Sequence, residues 1–433
     1  MLRQRVREYS SHVCTIVAVF LLPTFHFNLK TNQTIITCFA MTLSYISEGT
    51  VGSLTKLSAS AMLPTVAVTT PHSIPAARIV RPRNEADVNN HTMGASLPRY
   101  LEIKVHQAAL EKPYKAIVVH GLYARYSPDS IAFDGEKRDK PFNWERPTAR
   151  EVESTLFIEC FPGYDHVEHY AEIIANYLKI REHQGDKLTP SNQVFFIPAS
   201  CSDTQLALHS TNLGDFPGEG VDTVILGLVW HLPRLTGSAE WSGNGPWQWI
   251  LKDFGSRRVA FLGFRPAFWG DISGEVIYWL TSRFSIKEFI YLGKLGGLKP
   301  DVAPNTWLAT GGRSLVMGRM VEWDNVLQPS VERVGKDSVI FGTHITLGSV
   351  LHETKTWHAD LVEDVDFVDP EIGMMAQAAV RSGVRYGYLH MITDNLGKKY
   401  DEDLSNERKE SVLMNRERLH RVVQDVMEAH LTR

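Results

Sequence analysis

The chain is expected to fold as an α/β protein, a mixed sheet flanked by helices, and three observations carry that reading. Short apolar runs of strand length recur, among them 115–121, 154–162, 194–200, 222–231, 258–264 and 386–392. Between several of them lie segments with apolar residues at helical spacing, and strand–helix alternation is the pattern of an α/β sheet. Composition agrees: 43% hydrophobic and 22% charged residues in 433 positions are globular values and allow a sizeable core.

Length exceeds that of one ordinary domain. The net charge of −4 gives no basic footprint, so no nucleic-acid partner is expected. Cys14, Cys38, Cys160 and Cys201 show no metal spacing and no CxxC pair, so neither a metal site nor a disulfide framework is implied. Arg3, Arg5 and Arg7 precede an apolar run at 13–27, broken by Pro23 and His26. That run is short for a membrane span and lacks a small-residue cleavage site close behind it. Residues 50–90 are rich in Ser, Thr, Ala and Pro. Residues 1–96 therefore read as a largely disordered leader, with membrane association not expected and a cytoplasmic location favoured. Secretory or organelle targeting stays open. The triplets at Asn32 and Asn90 fit the glycosylation pattern, which is common by chance.

Residues 97–221 read as an accessory α/β region. Its strands at 115–121, 154–162 and 194–200 are joined by a helix over 166–182, through Val167, Tyr170, Ala171, Ile174 and Leu178. A long polar loop, 124–148, carries Pro128, Pro141 and Pro147 and reads as an insertion or a binding lip. Residues 222–433 begin afresh. A strand at 222–231 is followed by a Gly- and Trp-rich loop at 236–249, a strand at 258–264 and a turn at 265–271 that holds Arg265. A helix follows over 273–284, then a strand and turn at 289–302 and a strand at 305–312. The last element is an amphipathic helix over 406–431 with Val412, Leu419, Val422, Val423 and Val426 on one side. It should pack on the sheet, with part of that face open to a subunit contact.

The stretch 367–395 organises the rest. An apolar run closes on Asp369-Pro370-Glu371, and a helix follows through Ile372, Met375, Ala376, Ala379 and Val380. Ser382-Gly383 stops it, because glycine carries no Cβ penalty beyond a helix end. The strand 386–392 then delivers Thr393-Asp394-Asn395. Ligands of open α/β sheets sit at the carboxyl ends of strands, so Glu371 and Asp394 are candidate site acids. Taken singly, each has a blander account: a helix-start acid for Glu371 and a turn residue for Asp394.

These residues resemble the signature of the nucleoside phosphorylase and nucleosidase superfamily, in which a D-M-E triplet holds the ribose hydroxyls and a later S-D places an acid beside the base. Two upstream pieces agree. Residues 289–302, with Gly293, Gly296 and Gly297, are similar to the I-x-x-G-T-x-G-G-L strand and turn, and 344–357 resembles the strand and loop before the triplet. The resemblance covers about the last half of the chain. It implies a three-layer, nucleoside-phosphorylase-like mixed sheet with an additional N-terminal α/β region, a small-molecule nucleoside as partner, and a homo-oligomer.

By the same resemblance Glu371 holds the ribose, and Asp394, its pKa raised by burial at the end of an apolar strand, protonates purine N7. Pro370 replaces the apolar Met of the triplet. Tyr291 and Lys294 stand where phosphorylases carry Arg and Ser or Thr, so Lys294, helped by Arg265, is the candidate anion holder; a solvated surface cation is the plainer reading of both. His390 stands where many members carry Arg. The implied activity is phosphorolysis of a purine nucleoside, with phosphate as co-substrate and no cofactor. Two alternatives remain: a hydrolytic nucleosidase, like the AMP nucleosidases that carry an extra N-terminal domain, with Lys294, Arg265 or Arg313 on a 5′-phosphate; or an inert nucleoside-binding relative. Other chemistries lack their motifs: there is no G-x-S-x-G elbow, Walker A loop or G-x-G-x-x-G fingerprint. His352, Glu353 and His358 miss the HExxH spacing, and His166, Glu168 and His169 lack the cysteine pair of a zinc deaminase.

Overall fold

Residues 78–83, 86–399 and 409–433 are described by the structure, a computed structural model. They lie within one unit, Pro75–Arg433. The apolar run at 13–27, the triplet at Asn32 and the first residues expected in the last helix fall outside the described residues. Among the described residues no helix is long and apolar enough to cross a membrane.

Four strands form the smaller sheet: β1 (Ala116–Gly121), β2 (Thr148–Val152), β3 (Thr155–Cys160) and β4 (Val194–Ile197), in the order β2-β3-β1-β4. β1 is parallel to both β3 and β4, while β2 is antiparallel to β3. Parallel strands need a crossover connection, and α1 (Tyr164–His183) supplies it between β3 and β4. Its Val167, Tyr170, Ala171, Ile174 and Leu178 bury themselves in one cluster with Ile117, Val119, Leu156 and Ile158. The helical spacing legible in the sequence is the spacing of this face.

Eleven strands form the larger sheet. In chain order they are β5 (Thr223–Gly227), β6 (Trp247–Phe254), β7 (Arg257–Phe264), β8 (Glu288–Gly297), β9 (Leu308–Thr310), β10 (Arg313–Val316), β11 (Arg319–Glu322), β12 (Val339–Phe341), β13 (His344–Thr346), β14 (Phe367–Asp369) and β15 (Arg385–Asn395). β8 is the centre. β15 runs parallel to it along its whole length, and β5 is parallel to its first half. Beyond β5 the same edge of β8 takes β14, antiparallel, at Gly296 and Gly297.

Helices cover both faces, giving the expected three layers; α2 (Cys201–Ser210) follows β4 and α4 (Lys355–Leu361) follows β13. Phe289, Tyr291 and Leu295 of β8 face the core shared with α3 (Asp271–Thr281) and α5 (Ile372–Ser382). Ile290 and Leu292 point the other way, to α6 (Glu410–Leu431) through Leu419, Val423 and Val426. Burial on both faces explains why these strands read as unbroken apolar runs; each fully buried Leu, Ile or Phe contributes about 1.5–3 kcal/mol.

Three boundaries differ from expectation. The loop expected at 236–249 ends early because β6 starts at Trp247 and pairs with β7 along its length; Gln248, Lys252 and Asp253 break up its apolar pattern. The turn expected around Gly296 and Gly297 is strand, paired to β14 and β15 at once. The strand expected over 222–231 stops at Gly227, whose φ of 91° turns the backbone away.

A Cβ at Gly227 would collide with the Leu292 carbonyl, itself bonded to the Leu228 N–H at 2.9 Å. Gly227→Ala therefore combines a positive-φ penalty with a backbone clash, and should cost roughly 2–4 kcal/mol. Equilibrium urea unfolding reads that loss; an unchanged midpoint would mean that the end of β5 can shift freely.

Candidate active site

β14 ends on Asp369, and the chain turns there into α5. Pro370 has no N–H to satisfy, and the next two N–H groups, of Glu371 and Ile372, both donate to Asp369 Oδ1, at 3.0 and 2.9 Å. Asp369 thus caps the start of the helix, where a carboxylate is favoured by the dipole. It is buried, and two histidines reach it. His344 Nε2 lies 2.9 Å from Oδ1 and His390 Nδ1 lies 3.7 Å from Oδ2. His344 is oriented in turn by Ser314 Oγ, 2.9 Å from its Nδ1. Burial opposes ionisation of Asp369, but His344, then His390 and the Ile372 N–H, outweigh it and bring the carboxyl below its usual range.

Glu371 sits beside this anion and is itself buried. Burial first, then the charge of Asp369 and a hydrogen bond with it, push its carboxyl well above the ordinary value; a bond with Tyr291 works weakly against this. The two carboxyls titrate as a coupled pair, with Asp369 drawn toward its charged form and Glu371, expected as a carboxylate, pushed toward its neutral one. Tyr291 is buried above the pair, with its ring 4.6 Å from that of His390. Burial holds His390 at about 4, so its ring is neutral near pH 7. Gly293 makes room for it: a side chain there would strike the imidazole. Neither ring nitrogen of His390 makes a hydrogen bond, an exception among buried polar groups.

Asp394 lies at the tip of β15, opposite Gly296, just past a bulge after Ile392. It is exposed, not desolvated by its strand as expected, because the bulge carries it beyond the apolar run. The mass of protein around it still tilts the carboxyl toward the neutral form, opposed by the Thr393 hydroxyl at 3.0 Å, by Lys294 and by Arg416. Solvent access keeps that tilt modest. Lys294 is a half-buried residue of β8, on the strand and not in a turn. Burial places Glu353, within electrostatic reach of Asp394, well above the usual carboxylate range.

Lys294 is thus brought within electrostatic reach of Asp394, which lies opposite Gly296, with Gly297 next in register; Gly293 stands opposite His390, and Pro370 and Glu371 follow the end of β14, which runs antiparallel to β8. Arg265 is drawn elsewhere: its Nε lies 3.4 Å from Glu145 and its Nη2 donates to Tyr126 at 3.3 Å. Arg313 donates to Thr343 at 2.7 Å. Sequence reasoning gives Asp369 and His344 no role of their own, although they form the centre of the cluster. The one signal for Asp369 is an acid that closes an apolar strand immediately before Pro; His344 has none, since its contact depends on how β13 and β14 pair. Among the described residues no group of His, Cys, Asp or Glu is arranged to hold a metal ion.

No protein-family model matches the chain, and no curated protein matches it in sequence. Solved structures are similar to it over about half its length. The 5′-methylthioadenosine/S-adenosyl homocysteine nucleosidase of Campylobacter jejuni has 14% identity and a TM-score of 0.40, over 48% of this chain and 99% of its own. Uridine phosphorylase from Vibrio fischeri has 10% identity and a TM-score of 0.39, over 47% and 89%. The 5′-methylthioadenosine nucleosidase of Arabidopsis thaliana has 12% identity and a TM-score of 0.40, over 49% and 97%.

The neutral state of Glu371 has a measurable sign. Above the unfolded pKa of about 4.3, the folded chain keeps a proton that the unfolded chain releases, so this residue costs stability as pH rises. Asp369 has the opposite sign: its contribution is present above an unfolded pKa of about 3.9 and is lost only as pH falls below it. Glu371→Gln mimics the neutral acid. Urea unfolding should find it gaining stability over the parent between pH ~4.5 and ~7.5; a gap that does not widen with pH would mean that Glu371 ionises freely.

Proposed function

We propose that the protein cleaves the N-glycosidic bond of a nucleoside, with water as the acceptor. The observation that carries this reading is the acid arrangement: Asp369, held by the two helix-start N–H groups and beside His344, next to Glu371, whose carboxyl is pushed toward its neutral form, with Asp394 exposed where β15 ends beside β8. Departure of a base from ribose leaves positive charge on the sugar, and a fixed buried carboxylate stabilises such charge. Asp369 fits that role. Glu371 and Tyr291 offer hydrogen bonds to the sugar hydroxyls once the bond between them is exchanged for bonds to substrate. Asp394, tilted toward its protonated form and reachable from solvent, hands its proton to the departing base.

Water is preferred to phosphate because the cations that would hold phosphate are depleted. Tyr291 takes the place of an Arg and is buried against Glu371, and Arg265 is engaged by Glu145. One observation favours phosphorolysis instead: Lys294 and Arg416 both act on Asp394 and could attract an anion.

Base release from inosine, adenosine and uridine, with and without phosphate, tests the reading. Release independent of phosphate is expected. A rise of about ten-fold or more with phosphate would make it the acceptor, and no release from any nucleoside would overturn the assignment. Asp394→Asn should lose about 10²–10⁴-fold on purine nucleosides yet keep most activity on a nitrophenyl riboside, whose leaving group needs no proton. The parent rate on purine nucleosides should fall as pH rises through the raised pKa of Asp394. Equal loss on both substrates would make Asp394 a base-positioning group.

A further inference from the structure

The start of α5 is held from two sides. Asp369 Oδ1 takes the Glu371 and Ile372 N–H groups, and Thr346 Oγ1 takes the next one, that of Gly373, at 2.8 Å. Between these two acceptors runs a row of buried polar side chains on neighbouring parallel strands. Ser314 of β10 stands opposite His344 of β13, and Thr346 of β13 stands opposite Asp369 of β14. Ser314 Oγ lies 3.4 Å from Thr346 Oγ1 and 2.9 Å from His344 Nδ1, and His344 Nε2 lies 2.9 Å from Asp369 Oδ1. The row is pressed against the helix at Gly373, where a Cβ would strike both hydroxyls.

Counting hydrogens gives the row a direction. Thr346 Oγ1 already accepts the Gly373 N–H, so its own hydrogen needs an acceptor, and Ser314 Oγ is the hydroxyl it bonds. A hydroxyl carries one hydrogen. Ser314, accepting on that side, turns its hydrogen to His344 Nδ1. Nδ1 is then bare, and the ring proton sits on Nε2, on the side of Asp369. The opposite order leaves the Thr346 hydrogen buried without an acceptor, which is the costly arrangement. The contact from Nε2 is short but off the line of an ideal hydrogen bond, so it acts on the carboxyl as a close dipole. Asp369 also faces the His390 ring, 3.7 Å away, and the carboxyl of Glu371.

We infer that Ser314 is a positioning residue: by fixing the Nε2–H tautomer of His344 it turns an N–H toward Asp369 and keeps that carboxylate ready for the sugar cation. The role in turnover rests on glycosidic cleavage; the hydrogen order does not.

Ring-nitrogen NMR of the full chain with isotope-labelled histidine, at neutral pH, reads the order directly. The His344 signals are found by their loss in His344→Gln. The parent should carry one ring proton there, on Nε2, and Ser314→Ala should spread it over both nitrogens. Base release from inosine gives the second reading. Ser314→Ala should lower kcat about ten-fold, the worth of one hydrogen bond, and leave KM within about two-fold. Asp369 works charged, so activity is lost as pH falls through its pKa. Without an N–H held toward it that pKa rises, and the acid limb should move up by about half a pH unit or more. Ser314→Thr, which keeps the donor, should restore both tautomer and kcat. The inference is overturned if the parent carries the proton on Nδ1 or on both nitrogens. It is also overturned if Ser314→Ala moves neither tautomer nor acid limb, whatever its kcat, since Ser314 would then only pack. No base release from the parent would sink glycosidic cleavage and the role in turnover with it; the tautomer then supports or overturns the hydrogen order by itself.

Discussion

The buried carboxylate of Asp369 is the constraint on which the rest of the site depends. An ionised group survives in a protein interior only when its remaining lone pairs are met. Here two N–H groups of the helix start donate to it, and the rings of His344 from β13 and His390 from β15 stand 2.9 and 3.7 Å away. Satisfying one anion therefore fixes where α5 begins and how β13, β14 and β15 stand relative to one another. Pro370 belongs to that solution, since a residue without an N–H leaves the next two to converge on the acid. So does Gly293, because the imidazole of His390 occupies the space a side chain would need.

The same anion decides the chemistry of its neighbour. Two carboxyls in contact resist ionising together in a dry site, and with two histidines beside Asp369 its carboxyl is drawn below the ordinary range while that of Glu371 is pushed above it. A motif that names an acid at this position does not name its protonation state. Tyr291 and His390 are packed into the cluster as neutral groups and bring no positive charge to it. Lys294, and Arg416, which is buried and donates to Asn305, act electrostatically on Asp394.

The loop after β1 shows the same logic at a larger scale. Asp129, Asp134, Lys137 and Asp139 stay exposed, but Arg125, Glu136 and Glu145 pair with one another and with the turn after β7, and the smaller sheet is joined to the larger one through those bonds. Arg265 illustrates the consequence. Its place in a turn before a helix suggested an anion holder, but Glu145, more than a hundred positions earlier in the chain, takes its charge.

Local pattern was enough to determine the class of fold, most element positions and the two acids that flank α5. Those features depend on periodicity and on caps, which act between residues close in sequence. The α1 face, the stop at Gly383 and the strand before Asp394 were all legible for that reason. What the tertiary structure alone decided are the contacts between distant strands: His344 and His390 on Asp369, the neutral Glu371, the exposure of Asp394 past its bulge, the splitting of one edge of β8 between β5 and β14, and the capture of Arg265 by Glu145. Each is set by burial and by long-range pairing, and neither the desolvation of a charge nor the register of two strands is written in the spacing of residues along the chain.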